Sequence, residues 1–311
     1  ILYPIVSHWV WSPSGWLHKG ISVTFSDGVV AQTRFLDFAG SGVVHLVGGT
    51  ASIAAAAFLG PRLGRFASDR GPAEEIRGHS VPMVSLGAFV LLFGFLAFNG
   101  GSQGSISAPG DGQAVALAMV NTVLCGSSSA VVTLGIAKFR HKTWSLLSII
   151  NGALSGMVAI CAGCNSIQPW GSLIIGVLAS LSYTGWSSLI LRLRIDDPLE
   201  AVGVHFGGGL LGVFVVPFLH STRGILINPS RQSGLDLLWQ LVGAAAIMCW
   251  SGGVAIIMFG SLKAAGLLRV CEDFERKGLD IPKHGEPAYP LVAYGHGWGD
   301  RECIFLELLT C

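Results

Sequence analysis

Two histidines, His45 and His205, are the only titratable side chains deep within the long apolar stretches of this 311-residue chain. Ionisable groups at membrane depth are costly and usually functional. With an ordinary pKa of about 6.5, imidazole takes and releases a proton cheaply near neutral pH. In a dry passage its ring nitrogens are also hydrogen-bond partners for a small polar solute. A lone membrane histidine can equally bond a neighbouring helix, but these two share a context. Asp37-Phe38-Ala39-Gly40-Ser41-Gly42-Val43-Val44-His45 is followed by Gly48 and Gly49, and Asp197-Pro198-Leu199-Glu200-Ala201-Val202-Gly203-Val204-His205 by Gly207, Gly208 and Gly209. Each reads Asp, seven residues, His, then small residues within about a turn.

The elements that carry them are set by composition. Apolar residues make up 51% of the chain and charged residues only 12%, about half the usual charged share of a soluble domain. The 43 glycines suit helices that pack closely in lipid. A formal net charge of +1 without a basic run argues against nucleic acid as a partner. The seven cysteines are scattered, and Cys161-x-x-Cys164 has no second pair to make a zinc or redox site. No cofactor is expected. Ile1-Leu2-Tyr3-Pro4 is neither a signal peptide nor a natural beginning.

A hydrocarbon core about 30 Å thick needs roughly 20 apolar residues per helix. Seven such spans are predicted, near 37–60, 81–98, 113–137, 143–164, 170–191, 201–219 and 235–262. Residues 1–10 are apolar but too short to cross, like the end of a truncated transmembrane helix. Basic residues alternate between links: Arg62, Arg65, Arg70 and Arg77 in 61–80, none in 99–112, then Lys138, Arg140 and Lys142 in 138–142 and none in 165–169. The positive-inside rule makes the basic links and the 269–311 tail cytoplasmic, and 11–36 an extracellular loop. The first histidine helix then runs inward and the second outward. At ~1.5 Å per residue each His lies about 12 Å in from its Asp, so both reach the midplane from opposite faces. That is the pattern of an inverted-repeat transporter. Asp37 and Asp197 read first as caps of their helices' opening turns, with direct substrate contact as the other possibility.

These residues resemble the ammonium transporter family of the Amt/Mep/Rh group. The likeness rests on 37–45 running through Gly60-Pro61-Arg62-Leu63-Gly64-Arg65, on Tyr3-Pro4-Ile5-Val6-Ser7-His8-Trp9-Val10-Trp11, and on Phe98-Asn99-Gly100-Gly101-Ser102. Ala162-Gly163-Cys164, Pro169-Trp170, Asp196-Asp197-Pro198-Leu199-Glu200-Ala201 and 278–289 complete it, so that it covers residues 1–290. The resemblance implies an all-α integral membrane fold of eleven helices in two inverted sets of five plus a closing helix. About seven would be present here, as helices five to eleven over 37–268. It further implies a trimer, or a hetero-oligomer with related subunits, in the plasma membrane, and no enzymatic activity. His45 and His205 match the twin-histidine pair, Trp11 and Ser102 the outer cation-recruitment positions, and Phe98 one of two gating phenylalanines. The first helices and the other gating phenylalanine are missing, and Pro282 stands where plant relatives carry a regulatory threonine. The tail from Val270 to Tyr289 reads by itself as loosely ordered.

The chemistry suits such a pore. Ammonium differs from potassium in carrying a removable proton, and a bare ion entering low dielectric costs on the order of 20 kcal/mol in the Born limit, whereas ammonia avoids most of that. Trp11 would hold the cation over its ring for about 0.5–2 kcal/mol, unless it is only an interfacial anchor. Ser102 would accept one of its hydrogens, Phe98 would narrow the mouth, and the histidines would relay the stripped proton. The rivals are a seven-helix receptor, an ammonium sensor of the same fold, and a non-conducting partial gene product. An Asp/Glu-Arg-Tyr or Asn-Pro-x-x-Tyr motif would mark the first, and neither is present. Because half of an inverted-repeat pore should come from the missing helices, these 311 residues are expected not to transport without an upstream segment.

Overall fold

The chain opens with helix α1 (Leu2–Trp11), a one-turn helix α2 (Trp16–Lys19) and an antiparallel hairpin of β1 (Ile21–Thr24) and β2 (Val30–Thr33). The computed structural model describes residues 1–66 and 73–290, so Arg70 and the 291–311 end of the predicted tail lie outside the described residues. Among the described residues six helices are long and apolar enough to cross a membrane: α3 (Ser41–Leu59), α4 (Val81–Gly101), α5 (Asp111–His141), α7 (Pro169–Arg192), α8 (Val202–Leu219) and α9 (Arg231–Ala264). A shorter apolar helix, α6 (Leu146–Ile160), lies between α5 and α7. The protein is an integral membrane protein.

Local sequence sets the helix starts. Ser80 caps α4 by accepting from the Met83 N–H, Ser145 caps α6 through the Ser148 N–H, and Ser230 and Ser233 cap α9 reciprocally. Pro169 opens α7, where a missing N–H costs nothing. Helices α6 and α7 both close on α5 at Cys125. A methyl group at Gly156 or at Gly176 would lie 2.5 Å from the Cys125 carbonyl oxygen, so only glycine admits that approach.

Two expectations change. The predicted 143–164 span is helical for only 15 residues. Residues 161–162 leave the helix to pair with the segment before α3: Phe38 N–H donates to the Ala162 carbonyl at 3.0 Å and Ala39 N–H to Cys161 at 2.9 Å. The Ser41 hydroxyl donates to the Val158 carbonyl and accepts from the Ala162 N–H, each at 2.8 Å. Asn121 Nδ2 then donates to the carbonyls of Cys164 (2.8 Å) and Ile167 (2.7 Å), so the released backbone stays satisfied.

Within this mostly helical chain the 11–36 segment carries α2 and the β1–β2 hairpin. Thr33 Oγ1 donates to Asp236 Oδ1 at 2.6 Å, and Gln240, fully buried, exchanges both hydrogen bonds with the Leu36 backbone, at 2.7 and 2.9 Å. Helix α9 thereby fixes the strand that leads to Asp37.

The tail is not loose over its described part. Helix α10 (Glu272–Lys277) buries Phe274 to 3% exposure. Glu275 accepts from the Leu63 N–H at 2.7 Å and pairs with Arg269 at 2.6 Å. Arg269 adds a bond to the Leu59 carbonyl at 3.3 Å, and composition reveals none of these contacts. Helix α4 is the contrast, since only 6% of its apolar window is buried. It is held at one end, where the buried Asn99 donates to Thr122 Oγ1 (2.8 Å) and accepts from the Cys161 thiol (3.2 Å).

Candidate functional site

Both histidines stand in π-helical turns, Ser41–Leu46 at the head of α3 and Val202–Gly207 at the head of α8. The widened spacing is explicit at His45, whose N–H donates to the Gly40 carbonyl five residues back at 3.0 Å. Such turns inside α-helices recur at functional sites. A carboxylate secures each one. Asp37 accepts from the N–H groups of Gly40 (3.2 Å), Gly42 (2.9 Å) and Val43 (2.7 Å), and Asp197 from those of Ala201 (3.0 Å) and Val202 (2.7 Å). These are first-turn donors that a helix leaves unpaired.

The two helices cross where the histidines sit. Gly49, four residues past His45, faces the other helix so closely that a methyl group there would lie 2.2 Å from the Phe206 nitrogen and 2.7 Å from the His205 carbonyl carbon. Gly209, four residues past His205, would place one 2.6 Å from the Ser41 oxygen and 2.8 Å from the Leu46 nitrogen. The crossing brings His45 Nδ1 within 3.2 Å of His205 Nδ1, with rings 5.3 Å apart and 7° from parallel. Two nitrogens bonded in this way share one hydrogen, one ring donating and the other accepting. The arrangement therefore suits a neutral pair, and protonating both inner nitrogens would set two N–H groups against each other. His45 Nε2 is buried with no hydrogen-bond partner among the described residues, and His205 is part-exposed.

Aromatic rings close the pair from one side. Phe98 lies 6.0 Å from the His45 ring and is 40% exposed. Phe95, which the motifs did not single out, stacks on His45 at 5.7 Å and 17° and is 8% exposed. His45 is likewise 8% exposed, while Phe98 and His205 keep part of their surfaces open. The signal for Phe95 was its three-residue spacing from Phe98, which puts both on one helix face.

Trp11 connects to the site through backbone: its Nε1–H donates to the Asp37 carbonyl at 2.7 Å, and its ring meets Tyr3 edge-on at 6.5 Å. Trp11, Asp37 and Phe38 line a cleft of about 300 Å³. Ser102 donates to the Phe98 carbonyl at 2.7 Å, and among the described residues no hydrogen bond or ring contact joins it to Trp11. The structure thus brings His45, His205 and Phe98 together, ties in Trp11 through Asp37, and leaves Ser102 at the end of α4.

The family model described as Ammonium Transporter Family matches residues 1–289. The chain belongs to the ammonium transporter family. It is 48% identical to the Caenorhabditis elegans protein named as ammonium transporter 1, over 97% of this chain and 58% of that protein. Among solved structures it is similar to one titled Sensor Amt Protein, with a TM-score of 0.78 and 32% identity over 91% of this chain and 67% of the other. It is also similar to Candida albicans Mep2, with a TM-score of 0.75 and 26% identity over 97% and 63% of the two chains. The chain therefore spans little more than half the length of the curated relative, 58%. The family is one of transporters and not of enzymes.

Proposed function

We propose that the protein of which this chain is part conducts ammonium, with His45 and His205 as the proton-handling pair of its pore. The observation that carries the reading is the 3.2 Å bond between the two Nδ1 atoms, made by residues 160 apart at the crossing of two matched helices. Ammonium held at Trp11 and Ser102 passes Phe98 and loses a proton, and ammonia moves along an apolar lumen past the histidines. A hydrogen bond that can be donated by either ring offers the stripped proton a relay. Potassium has no proton to give and meets the full cost of leaving water. In this reading Trp11 faces outward, α10 is cytoplasmic, residues 37–268 form the membrane domain, and the protein works in the plasma membrane as a trimer or with related subunits.

The test is ammonium-evoked current in voltage-clamped cells expressing the protein, with potassium as the competing ion and His205→Ala as control. A selective current that disappears in the control supports the reading. An equal selective current in His205→Ala or His45→Ala overturns the relay. A second reading, an ammonium sensor, is favoured by the likeness to the structure titled Sensor Amt Protein. It predicts a signalling output with little flux, and uptake measured beside signalling separates the two.

A further inference from the structure

Next to the Trp11 cleft is a second cavity of about 530 Å³, lined by His18, Lys19, Gln32, Thr33, Arg34 and Arg223. His18, Arg34 and Arg223 line both spaces. The hairpin builds the second one. Ile21 pairs with Thr33, so Lys19 and Arg34 flank the base of the two strands. Gly20, at φ +65° and tight against the Thr33 carbonyl, allows the close turn that puts them there.

The lining carries no carboxylate. The acids nearby are already committed. Asp236, 1% exposed, accepts from Thr33 and Gln232 and pairs with Arg223 at 3.3 Å. Asp37 is taken up by backbone N–H groups, and Asp27 pairs with Arg231 at 2.5 Å. Lys19 and Arg34 are exposed and make no ion pair among the described residues. His18 Nδ1 donates to the Val10 carbonyl at 3.1 Å, which leaves Nε2 as an acceptor for a protonated oxygen of a ligand. His220, lining the adjoining cleft, is held below the ordinary imidazole range by burial and by Arg223, so at neutral pH it adds an N–H donor and no charge.

We propose that this cavity is an anion site for a phosphate-type oxyanion, supplied either as free phosphate or as the headgroup of an anionic phospholipid. Arg34 offers a planar fork that matches two oxygens at once, Lys19 a mobile point charge, and the Gln32 side-chain amide a neutral donor. Surplus positive charge here is otherwise unexplained in a protein that gathers a cation beside it. A unit charge about 10 Å away in water changes the local concentration of a monovalent cation about two-fold, so a bound anion would restore ammonium at Trp11. That consequence rests on the proposed function, whereas the site itself does not.

Binding can be read without transport. Inorganic phosphate is titrated calorimetrically, at fixed ionic strength, into the full-length protein in phosphatidylcholine nanodiscs. The expected result is saturable binding of one anion per chain, weakened at least ten-fold in Lys19→Gln/Arg34→Gln at an unchanged melting temperature. Should that variant melt early, Arg34→Gln alone carries the same expectation, and Arg34→Lys should retain part of the affinity. With phosphatidylglycerol in the disc, loss of the phosphate signal would identify the headgroup as the source, and its persistence the free anion. Absence of saturable binding in phosphatidylcholine, or equal affinity in the variants, would overturn the proposal.

Discussion

Gly49 and Gly209 each admit the backbone of the other's helix, so the spacing between the histidines is set by two missing methyl groups and not by the imidazoles themselves. The clash at Gly49, 2.2 Å to a backbone nitrogen, has no flexible side chain to relieve it. Overpacking of this kind costs about 1–3 kcal/mol. Gly49→Ala should lower the melting temperature and abolish the ammonium-evoked current, because the histidine bond opens. Gly253→Ala, where nothing lies within 4 Å, should leave both unchanged. Equal currents in the two variants would contradict this account of the spacing.

Phe95 should matter to selectivity more than its absence from the motifs suggests. It stacks flat on His45, and truncating a buried Phe leaves a cavity worth about 3–5 kcal/mol. In Phe95→Ala the potassium current should rise relative to the ammonium current as water reaches His45. The ratio of the two currents is the readout, and an unchanged ratio would make Phe95 mere packing.

Gln240 predicts a stability effect without a pore effect of its own. Besides the Leu36 backbone, its Nε2 donates to the Val213 carbonyl at 3.2 Å. Gln240→Leu keeps the bulk but leaves backbone groups of Leu36 unpaired, at about 1–3 kcal/mol for each buried group. A thermal melt should fall by several degrees, and proteolysis should open the 12–36 segment first.

Asp196 gives a pH prediction for the opposite end of the bundle. It accepts from the Arg62 backbone (3.0 Å) and side chain (2.7 and 2.9 Å) and lies 3.3 Å from Arg65 Nε. Burial alone would raise its carboxyl, but the Arg62 hydrogen bonds and the two arginine charges outweigh burial and hold it below the usual range. A folded pKa below the unfolded value of about 3.9 gives stabilisation that is present above that value and lost as pH falls through the lower one. Amide exchange at residues 62–66, corrected for its intrinsic rate, should stay flat from about pH 8 to about pH 5 and rise only below about pH 4. A rise near pH 6 would count against it.

The histidine pair could be read from the chain because Asp, spacing, His and trailing glycines occur twice, and because titratable side chains are conspicuous in apolar runs. Phe95 left a weaker trace, its three-residue spacing from Phe98, which Leu92, Phe93 and Leu96 around it obscure. The shortening of α6 was hidden for a related reason. Hydropathy runs unbroken through Ala159–Cys164, and nothing local tells that Phe38 and Ala39 claim the carbonyls there. The hairpin did leave a trace, an Asp27-Gly28 turn between short alternating runs, but the runs are only four residues each. The anchoring of the tail depends on a partner far off in sequence, as the contact of Glu275 with Leu63 shows at a separation of 212.

The separation of 160 positions between the two histidines also sets a clock. At roughly 5–20 residues per second of synthesis, α3 enters the membrane about 8–32 s before α8 exists. Throughout that interval Asp37 supplies hydrogen bonds to the opening turn of α3 from within six residues, while Phe38, Ala39 and Ser41 gain their partners once residues 158–162 follow. His45 waits longest. A nascent chain halted before α8 should therefore hold a helix capped by Asp37 with one unmatched imidazole facing lipid or the insertion machinery, and release from the arrest is the moment at which the two imidazoles can pair.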